Sequence, residues 1–551
     1  MSKYCVDYVI IGTGSAGAVL ANVLSNDRLH SVISLEAGQN ADNEPIVVGP
    51  NPFITVPYDM EYYWPGNTLP DPDAAGRIFN WTNGRVLGGG SSINGQIYSR
   101  GTPQRFNEWA AIVGPDWTAD KVYAAYKEME SFVGFADACN THGFNGLMAI
   151  RAGIPDSNST QHFIDAINSV NPPGNVPIID YNCPETPMGH FRPWQLWQFP
   201  DGTRASSSRT FLNSNIVDAN GRGVNGRKLQ VLTQTTATHL KWSKCGNRVK
   251  GVFAVKNGVP IFIKANKKVI VSSGFKSAGF LQVNGIGPRD VLEAAGVKVR
   301  VENPNVGLLV NSYFIPTFSV PPPNVTFNTN PANYYSAGAF LPDPRPGSPL
   351  DQRNVELSTL LLRPAPGVVL HFLVVESPLR VKSTGFIRIQ NADPLKIEEV
   401  DIGYLHNPDD LEATAATFDL IVTPMIKYLQ TNFGYIQLSP PIATLDDPVA
   451  LRDYIRNNIN NGHHYQCTTK MGPREQGGVV DQWGNVYGTE NLLVVDNSIA
   501  PLIIDGNPNS IAEMMAFRIG RHLLEIDQDS TSSCSDDCSD ECSTRVYSYC
   551  C

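Results

Sequence analysis

The stretch Tyr4 to Gly38, YCVDYVIIGTGSAGAVLANVLSNDRLHSVISLEAG, constrains this chain more than any other. Val6 to Ile11 is a short apolar run, rich in β-branched residues and too short for a helix, so it reads as a buried strand. Gly12-Thr-Gly14-Ser15-Ala-Gly17 follows, and then a helical pattern with Val19, Leu20, Val23 and Leu24. A second apolar run, Ser31 to Leu35, ends at Glu36. The order is strand, glycine turn, helix, strand, acid. Gly12 permits the tight turn, Gly14 lets a pyrophosphate approach the backbone, and Gly17 lets the helix pack on the strand. The helix N-terminus offers unpaired N–H groups to phosphates. Glu36 is placed to accept hydrogen bonds from a ribose diol. A glycine turn alone is common; the complete unit around this one is specific to dinucleotides.

A second glycine cluster, Gly84-Arg85-Val86-Leu87-Gly88-Gly89-Gly90-Ser91-Ser92-Ile93-Asn94-Gly95, cannot be justified inside a helix or strand, where each glycine costs about 1 kcal/mol relative to alanine. It suits backbone laid against a planar ligand or a phosphate. The apolar Val86, Leu87 and Ile93 argue against a flexible surface loop.

The segment GRVLGGGSSINGQIYSRG resembles the first signature of the glucose-methanol-choline (GMC) family of flavin oxidoreductases. The N-terminal unit is similar to that family's FAD-binding strand and turn. Gly202 to Leu212, Lys228 to Leu240 and, loosely, Ser273 to Pro288 resemble further family segments; Gly274, Ala278, Phe280 and Asn284 depart from the usual residues of the last. The resemblance runs from about residue 6 to residue 525 and is weakest from about 290 to 440. It implies an α/β fold (α+β overall), with a Rossmann-like FAD-binding domain and a substrate domain built on a large, mostly antiparallel sheet covered by helices. The FAD-binding domain would take residues 1–149, 204–311 and 464–526, and the substrate domain 150–203 and 312–463. An acidic, cysteine-rich tail, 527–551, would follow.

The site residues that the resemblance implies fall in three groups. Gly12, Gly14, Ser15, Gly17, Glu36 and Ala37 belong to the first unit; Arg85, Leu87, Gly89, Ser91, Asn94 and Gly95 to the second glycine cluster; Ala237, Asp496, Asn497 and Pro508 to later strands and turns. The catalytic positions come from His463-His464-Tyr-Gln-Cys467-Thr468-Thr-Lys-Met471-Gly472 and Asn507-Pro508-Asn509. In the family pattern a histidine stands seven residues before the methionine of a Met-Gly pair, which selects His464 over His463. Cys467 replaces the usual glycine. The second position, His or Asn, falls on Asn509, with Asn507 as a near alternative. The chemistry needs these types. Alcohol oxidation removes a proton from oxygen and a hydride from carbon; flavin N5 takes the hydride. A neutral imidazole suits the proton, and an amide can hold the alcohol oxygen without titrating. Some members attach FAD covalently through a histidine where this chain has Ile93, so the resemblance implies a noncovalent FAD that oxidises a small-molecule alcohol and is itself reoxidised by dioxygen or another acceptor. Two other readings are an impaired or purely structural protein, motivated by Cys467 and the loose second signature, and an NAD-linked enzyme, against which GGGSSIN argues.

Between these landmarks, residues 312–350 (IPTFSVPPPNVTFNTNPANYYSAGAF and its flanks) read as a loop-rich lid or pocket wall. Residues 368–405 alternate like strands, and Leu411 to Leu429 and Pro448 to Ile459 have helical spacing. A net charge of -10 leaves nothing to neutralise phosphates over a face, which argues against nucleic acid. No run of 18 apolar residues suggests a membrane span, and the first strand leaves no room for a signal peptide.

The ten cysteines split evenly. Cys5, Cys139, Cys183, Cys245 and Cys467 are scattered, without metal-site spacing. Cys534, Cys538, Cys542, Cys550 and Cys551 crowd a polar tail beyond the final helix, Ile511 to Leu524. Metal binding and lipidation both fit that tail poorly. An intermolecular disulfide anchor fits better, as on a particle surface such as a virion.

Overall fold

In a computed structural model, residues 2–531 are described, apart from 50–60, 135–138, 154–157, 179, 245, 326–334, 366, 367 and 397. The five tail cysteines lie outside the described residues.

The molecule is built on two large sheets. The first is organised by strand β1 (Ser2–Ile11), helix α1 (Ser15–Leu24) and strand β2 (Val32–Leu35). Its order runs 229–232, β2, β1, 259–271, 249–256, 235–242, with 492–494 also pairing on 259–271. Strands 229–232, β2, β1, 259–271 and 492–494 are parallel. Val9 and Ile10 of β1 are fully buried, as expected for a strand covered on both faces. The register puts Ile11, Leu35, Leu232, Val271 and Val494 in one row. Gly12, Glu36, Ser272 and Val495 therefore leave the sheet together at its carboxyl edge, where open α/β sheets bind ligands.

The second sheet has eight strands in the order 436–439, 313–320, 368–376, 355–365, 335–341, 189–191, 177–178, with 460–461 pairing on 313–320. Its long central pairs are antiparallel. Two strands, Tyr313–Val320 and Tyr335–Leu341, lie in the segment expected to be loop-rich. That segment lacks polar alternation because both faces of these strands meet apolar or ligand-facing surroundings. Tyr313, Ile315, Leu357, Leu373 and Val375 point to a core shared with Phe163, Phe418 and Met425 of the covering helices. Phe314, Ser358, Leu360, Phe372 and Val374 face the opposite way, into a cavity. The alternation is the two-residue period of a strand.

The strands 385–388 and 399–401, within the stretch that alternates like strands, pair with 308–309 in a separate three-stranded sheet. The helical stretch 411–429 is Pro408–Thr417 and Thr423–Phe433 joined by a wider turn at Phe418–Val422. Pro424, which has no N–H to donate, sits just beyond that turn. The last helix, Asn509–Thr531, runs past its expected end at Leu524, and Asp527 ties it to Tyr8 and, at 2.9 Å, to Lys267. Among the described residues no helix is long and apolar enough to cross a membrane.

Candidate active site

The two sheets face each other across a cavity of about 410 Å³ that runs from the glycine turn to the inner face of the second sheet. At the turn, Gly12 has φ +93°, and a Cβ there would stand 2.4 Å from the Ser272 carbonyl oxygen. A Cβ on Gly17 would stand 2.0 Å from the Gly12 oxygen, so only glycine lets α1 begin this close to β1. Gly14 faces Gly89 of the second cluster: a Cβ on Gly89 (φ +54°) would lie 2.7 Å from the Gly14 Cα. Two glycine segments thus form one cradle, with the N-terminus of α1 opening on it and no acid in the first turn.

Of the expected cofactor residues, Gly12, Gly14, Ser15, Glu36, Ala37, Gly89, Asn94, Gly95, Ala237, Asp496, Asn497 and Pro508 line the cavity. Glu36 accepts from Thr13 N (3.1 Å) and Gly38 N (2.8 Å), and burial raises its carboxyl to about 7. Asp496 accepts from Gly274 N (2.9 Å), Ser277 Oγ (2.7 Å) and Ser498 N (2.8 Å), so it organises two loops as well as lining the site. Gly17, Arg85, Leu87 and Ser91 do not line it. They hold the cradle from behind: Arg85 lies over the Trp64 ring at 4.9 Å, Leu87 packs in the core, and Ser91 accepts from Ser207 N (2.9 Å). Ser91 is buried within the tight turn Gly89–Ser92.

Arg204 is a residue that sequence reasoning missed. It is fully buried and donates to Ser91 O (2.7 Å), Asn94 Oδ1 (2.8 Å) and Asn94 O (2.7 Å), fixing the second cluster. It lies within Gly202 to Leu212, a segment that stood out, but nothing local marks this one arginine among its polar neighbours.

His464 sits between the two sheets with its side chain 16 % exposed. Its Nδ1 contacts Ser312 Oγ at 2.7 Å and lies 3.8 Å from Glu376 Oε1. No hydrogen bond occupies Nε2 among the described residues. Burial, and then His463, push its pKa down to about 3, which holds the imidazole neutral. His463 lies beside Tyr465 Oη (3.1 Å) and is lowered to about 4 by burial. Cys467, in the usual glycine position, has φ +68°, a left-handed conformation that glycine adopts more readily. Its thiol is buried and pushed up to about 12, so it is inert.

Asn509 is engaged at both ends of its amide. Oδ1 accepts from Ser15 Oγ (2.7 Å), and Nδ2 donates to Glu513 Oε1 (3.3 Å). Asn507 also lines the cavity, and its buried Oδ1 accepts nothing among the described residues. Of the two asparagines, Asn507 is the one whose amide oxygen is without a partner among the described residues.

The donor set suits FAD: a glycine cradle at a helix N-terminus, an acid at the end of β2, and an extended cavity leading to a neutral histidine. Two family models, both described as GMC oxidoreductase, match residues 6–308 and 381–516. An oxygen-dependent choline dehydrogenase of Staphylococcus xylosus is 28% identical over 94% of this chain and 94% of its own. The crystal structure of pyridoxine 4-oxidase from Mesorbium loti aligns with TM-score 0.81 and 25% identity, covering 94% of this chain and 99% of the other. A variant of Aspergillus oryzae RIB40 formate oxidase, at 20% identity, shares the fold, with TM-score 0.83 over 96% of this chain and 100% of its own.

Proposed function

The chain belongs to the GMC oxidoreductase family, and from that premise we propose that it oxidises the CH–OH group of a small alcohol, with FAD as cofactor and His464 as the base. The observation that carries this reading is a neutral imidazole whose Nε2 has no hydrogen bond among the described residues, standing between the dinucleotide cradle and the inner face of the second sheet.

FAD supplies the hydride acceptor when bound. The cradle of Gly12, Gly14 and Gly89, with the N-terminus of α1, would take the pyrophosphate. Glu36 would accept from the ribose diol, and hydrogen bonds to its charged form would oppose the upward pull of burial. Ile93 lines the cavity and offers no nucleophile, which supports noncovalent attachment. Ser312 fixes the His464 ring through Nδ1 and leaves Nε2 to take the hydroxyl proton. Asn507, rather than Asn509, would hold the alcohol oxygen, by donating from its Nδ2, because Asn509 is held at both ends by Ser15 and Glu513. The acceptor that reoxidises the flavin is dioxygen or another oxidant. The comparisons lend no support to a disulfide-linked partner or a particle-surface location.

The test is anaerobic flavin reduction by a panel of simple alcohols. His464→Ala should slow reduction by about 10²–10⁴-fold with FAD content kept. Flavin that no alcohol bleaches in the wild-type protein would favour the structural alternative. Flavin that stays with acid-precipitated polypeptide would overturn the noncovalent reading.

A further inference from the structure

Beyond His464 the cavity follows the inner face of the second sheet, and that wall is not uniformly apolar. Glu356 and Glu376 stand directly opposite each other on the antiparallel strands 355–365 and 368–376. Both line the cavity, and they are only 3% and 6% exposed. Each leaves its Oε2 buried without a hydrogen bond among the described residues. Glu356 Oε1 accepts from Ser358 Oγ at 3.0 Å, while Glu376 Oε1 faces His464 Nδ1 at 3.8 Å.

Such an arrangement costs stability. Like charges directly opposite on neighbouring strands repel, and a buried acceptor without a donor forfeits its hydration. Burial raises both carboxyls, Glu356 to about 7 and Glu376 well above its ordinary value, with Glu356 adding to the rise at Glu376. Arg353, the cation whose charge bears on Glu356, does not line the cavity. It donates to Ser99 Oγ (3.4 Å) and to the carbonyls of Asp505 (3.4 Å), Tyr181 (2.9 Å) and Pro187. The fold therefore brings two acids to the cavity and, among the described residues, supplies no donor for their Oε2 atoms.

We propose that Glu356 and Glu376 form a subsite for the protonated amine of an amino-alcohol substrate, one whose nitrogen carries N–H donors. The proposal rests on the reading of this site as an alcohol oxidoreductase and adds the substrate class to it. An ammonium is a cation with several donors and no acceptor. It can satisfy both Oε2 atoms and offset the repulsion between the acids. A quaternary ammonium supplies the charge but no hydrogen bond, so it leaves both oxygens orphaned. The ring faces of Phe314, Tyr335 and Phe372, which also line this wall, can support either cation. Glu376 Oε1 lies 3.8 Å from Nδ1 of the imidazole whose Nε2 takes the proton, so subsite and base share one end of the cavity and short amino alcohols are the probes. A role for Glu376 in tuning His464 alone would leave Glu356 unexplained.

The test uses the full-length FAD-loaded protein at a pH where amines are protonated. Anaerobic flavin reduction is measured with 2-aminoethanol and 3-aminopropan-1-ol, with their N,N,N-trimethyl counterparts, and with propan-1-ol and butan-1-ol, in which carbon replaces nitrogen. The better amino alcohol should exceed its carbon isostere in kcat/KM by about 100-fold or more, since a site built to hydrogen-bond a group rejects the analogue that lacks it. That ratio should collapse in Glu356→Gln and in Glu376→Gln. Ethylamine, which has no hydroxyl to oxidise, should perturb the flavin spectrum saturably in the wild-type protein. Simple alcohols that bleach the flavin with no advantage for the amine, and no ethylamine binding, would overturn the subsite and leave the alcohol reading standing. Ethylamine binding that is lost in both variants, without bleaching by any alcohol, would uphold the subsite and overturn the reaction. A trimethyl compound that outperforms its N–H counterpart would overturn the requirement for donors.

Discussion

His464 is an imidazole that burial keeps neutral, and that has a consequence for pH. Its ordinary pKa is 6.5 and its folded value is about 3. Between those values the unfolded chain binds a proton that the folded chain refuses. Its stabilising contribution is therefore complete above pH 6.5 and is lost progressively as the pH falls toward 3. For catalysis the same shift means that the base is available throughout that window. The rate of flavin reduction should show no acid limb near pH 6.5, and a bell whose lower arm falls there would contradict the neutral His464 described here. The two asparagines separate in the same way. Asn507→Ala should slow reduction by at least about tenfold with FAD retained, because it removes a hydrogen bond to the reacting oxygen. Asn509→Ala should instead lower FAD occupancy, because it breaks the Ser15–Asn509–Glu513 chain beneath the cradle. If the two phenotypes are exchanged, the sequence alignment to Asn509 stands. The spacing selected Asn509 and kept Asn507 as a near alternative, and residue type could not separate them, since both are amides flanking one proline.

The elements legible in the sequence were those whose constraints are local. β1, α1 and β2 followed from an apolar run, a glycine spacing and an acid. The Gly88–Asn94 cluster followed from glycines with no other physical justification. The cradle itself, Gly14 against Gly89, was not legible, because it joins two segments 75 residues apart. Its consequence is testable. Gly89→Ala places a methyl 2.7 Å from the Gly14 Cα at a φ of +54°, and both atoms are backbone-fixed. The protein should fold but purify largely without flavin, as read by its absorbance ratio. Full flavin content would mean that the cradle tolerates a methyl group between its two glycine segments. The strands 313–320 and 335–341 escaped notice for the opposite reason. Pro316, Tyr335 and their neighbours give no polar–apolar alternation, because the helices cover one face and the ligand space the other. The end of the final helix was also missed, since Asp527 is held by Tyr8 and Lys267 from the far N-terminal side of the sheet.

At the scale of the whole molecule, a large feature invisible in the sequence is a buried clasp beside strand 177–178, at the edge of the second sheet. Cys139 and Cys183, which looked like isolated thiols, form a disulfide across 44 residues. They flank a buried network. Arg100 pairs with Glu130, and His142 bridges Glu130 (2.9 Å) and Asp180 (2.7 Å). His142 is raised by its hydrogen bonds to Asp180 and Glu130 in spite of burial, while Glu130 and Asp180 are lowered by their Arg100 and His142 partners. Burying these charges is tolerable only while every partner stays in place. The disulfide pins the segment that carries His142 to the turn that carries Asp180, so it protects the network as well as shortening the unfolded chain. Closing a loop of this length contributes about 2–4 kcal/mol, and losing it should loosen the network first. Cys139→Ser with Cys183→Ser should therefore lower the unfolding temperature, and a thiol reductant should bring the wild-type protein down to the same value while leaving the double variant unmoved. FAD content and flavin reduction at moderate temperature should survive, because no member of the network lines the cavity. A wild-type protein indifferent to reductant would show that the clasp contributes nothing to stability, and a double variant that loses its flavin would show that the network reaches the active site after all.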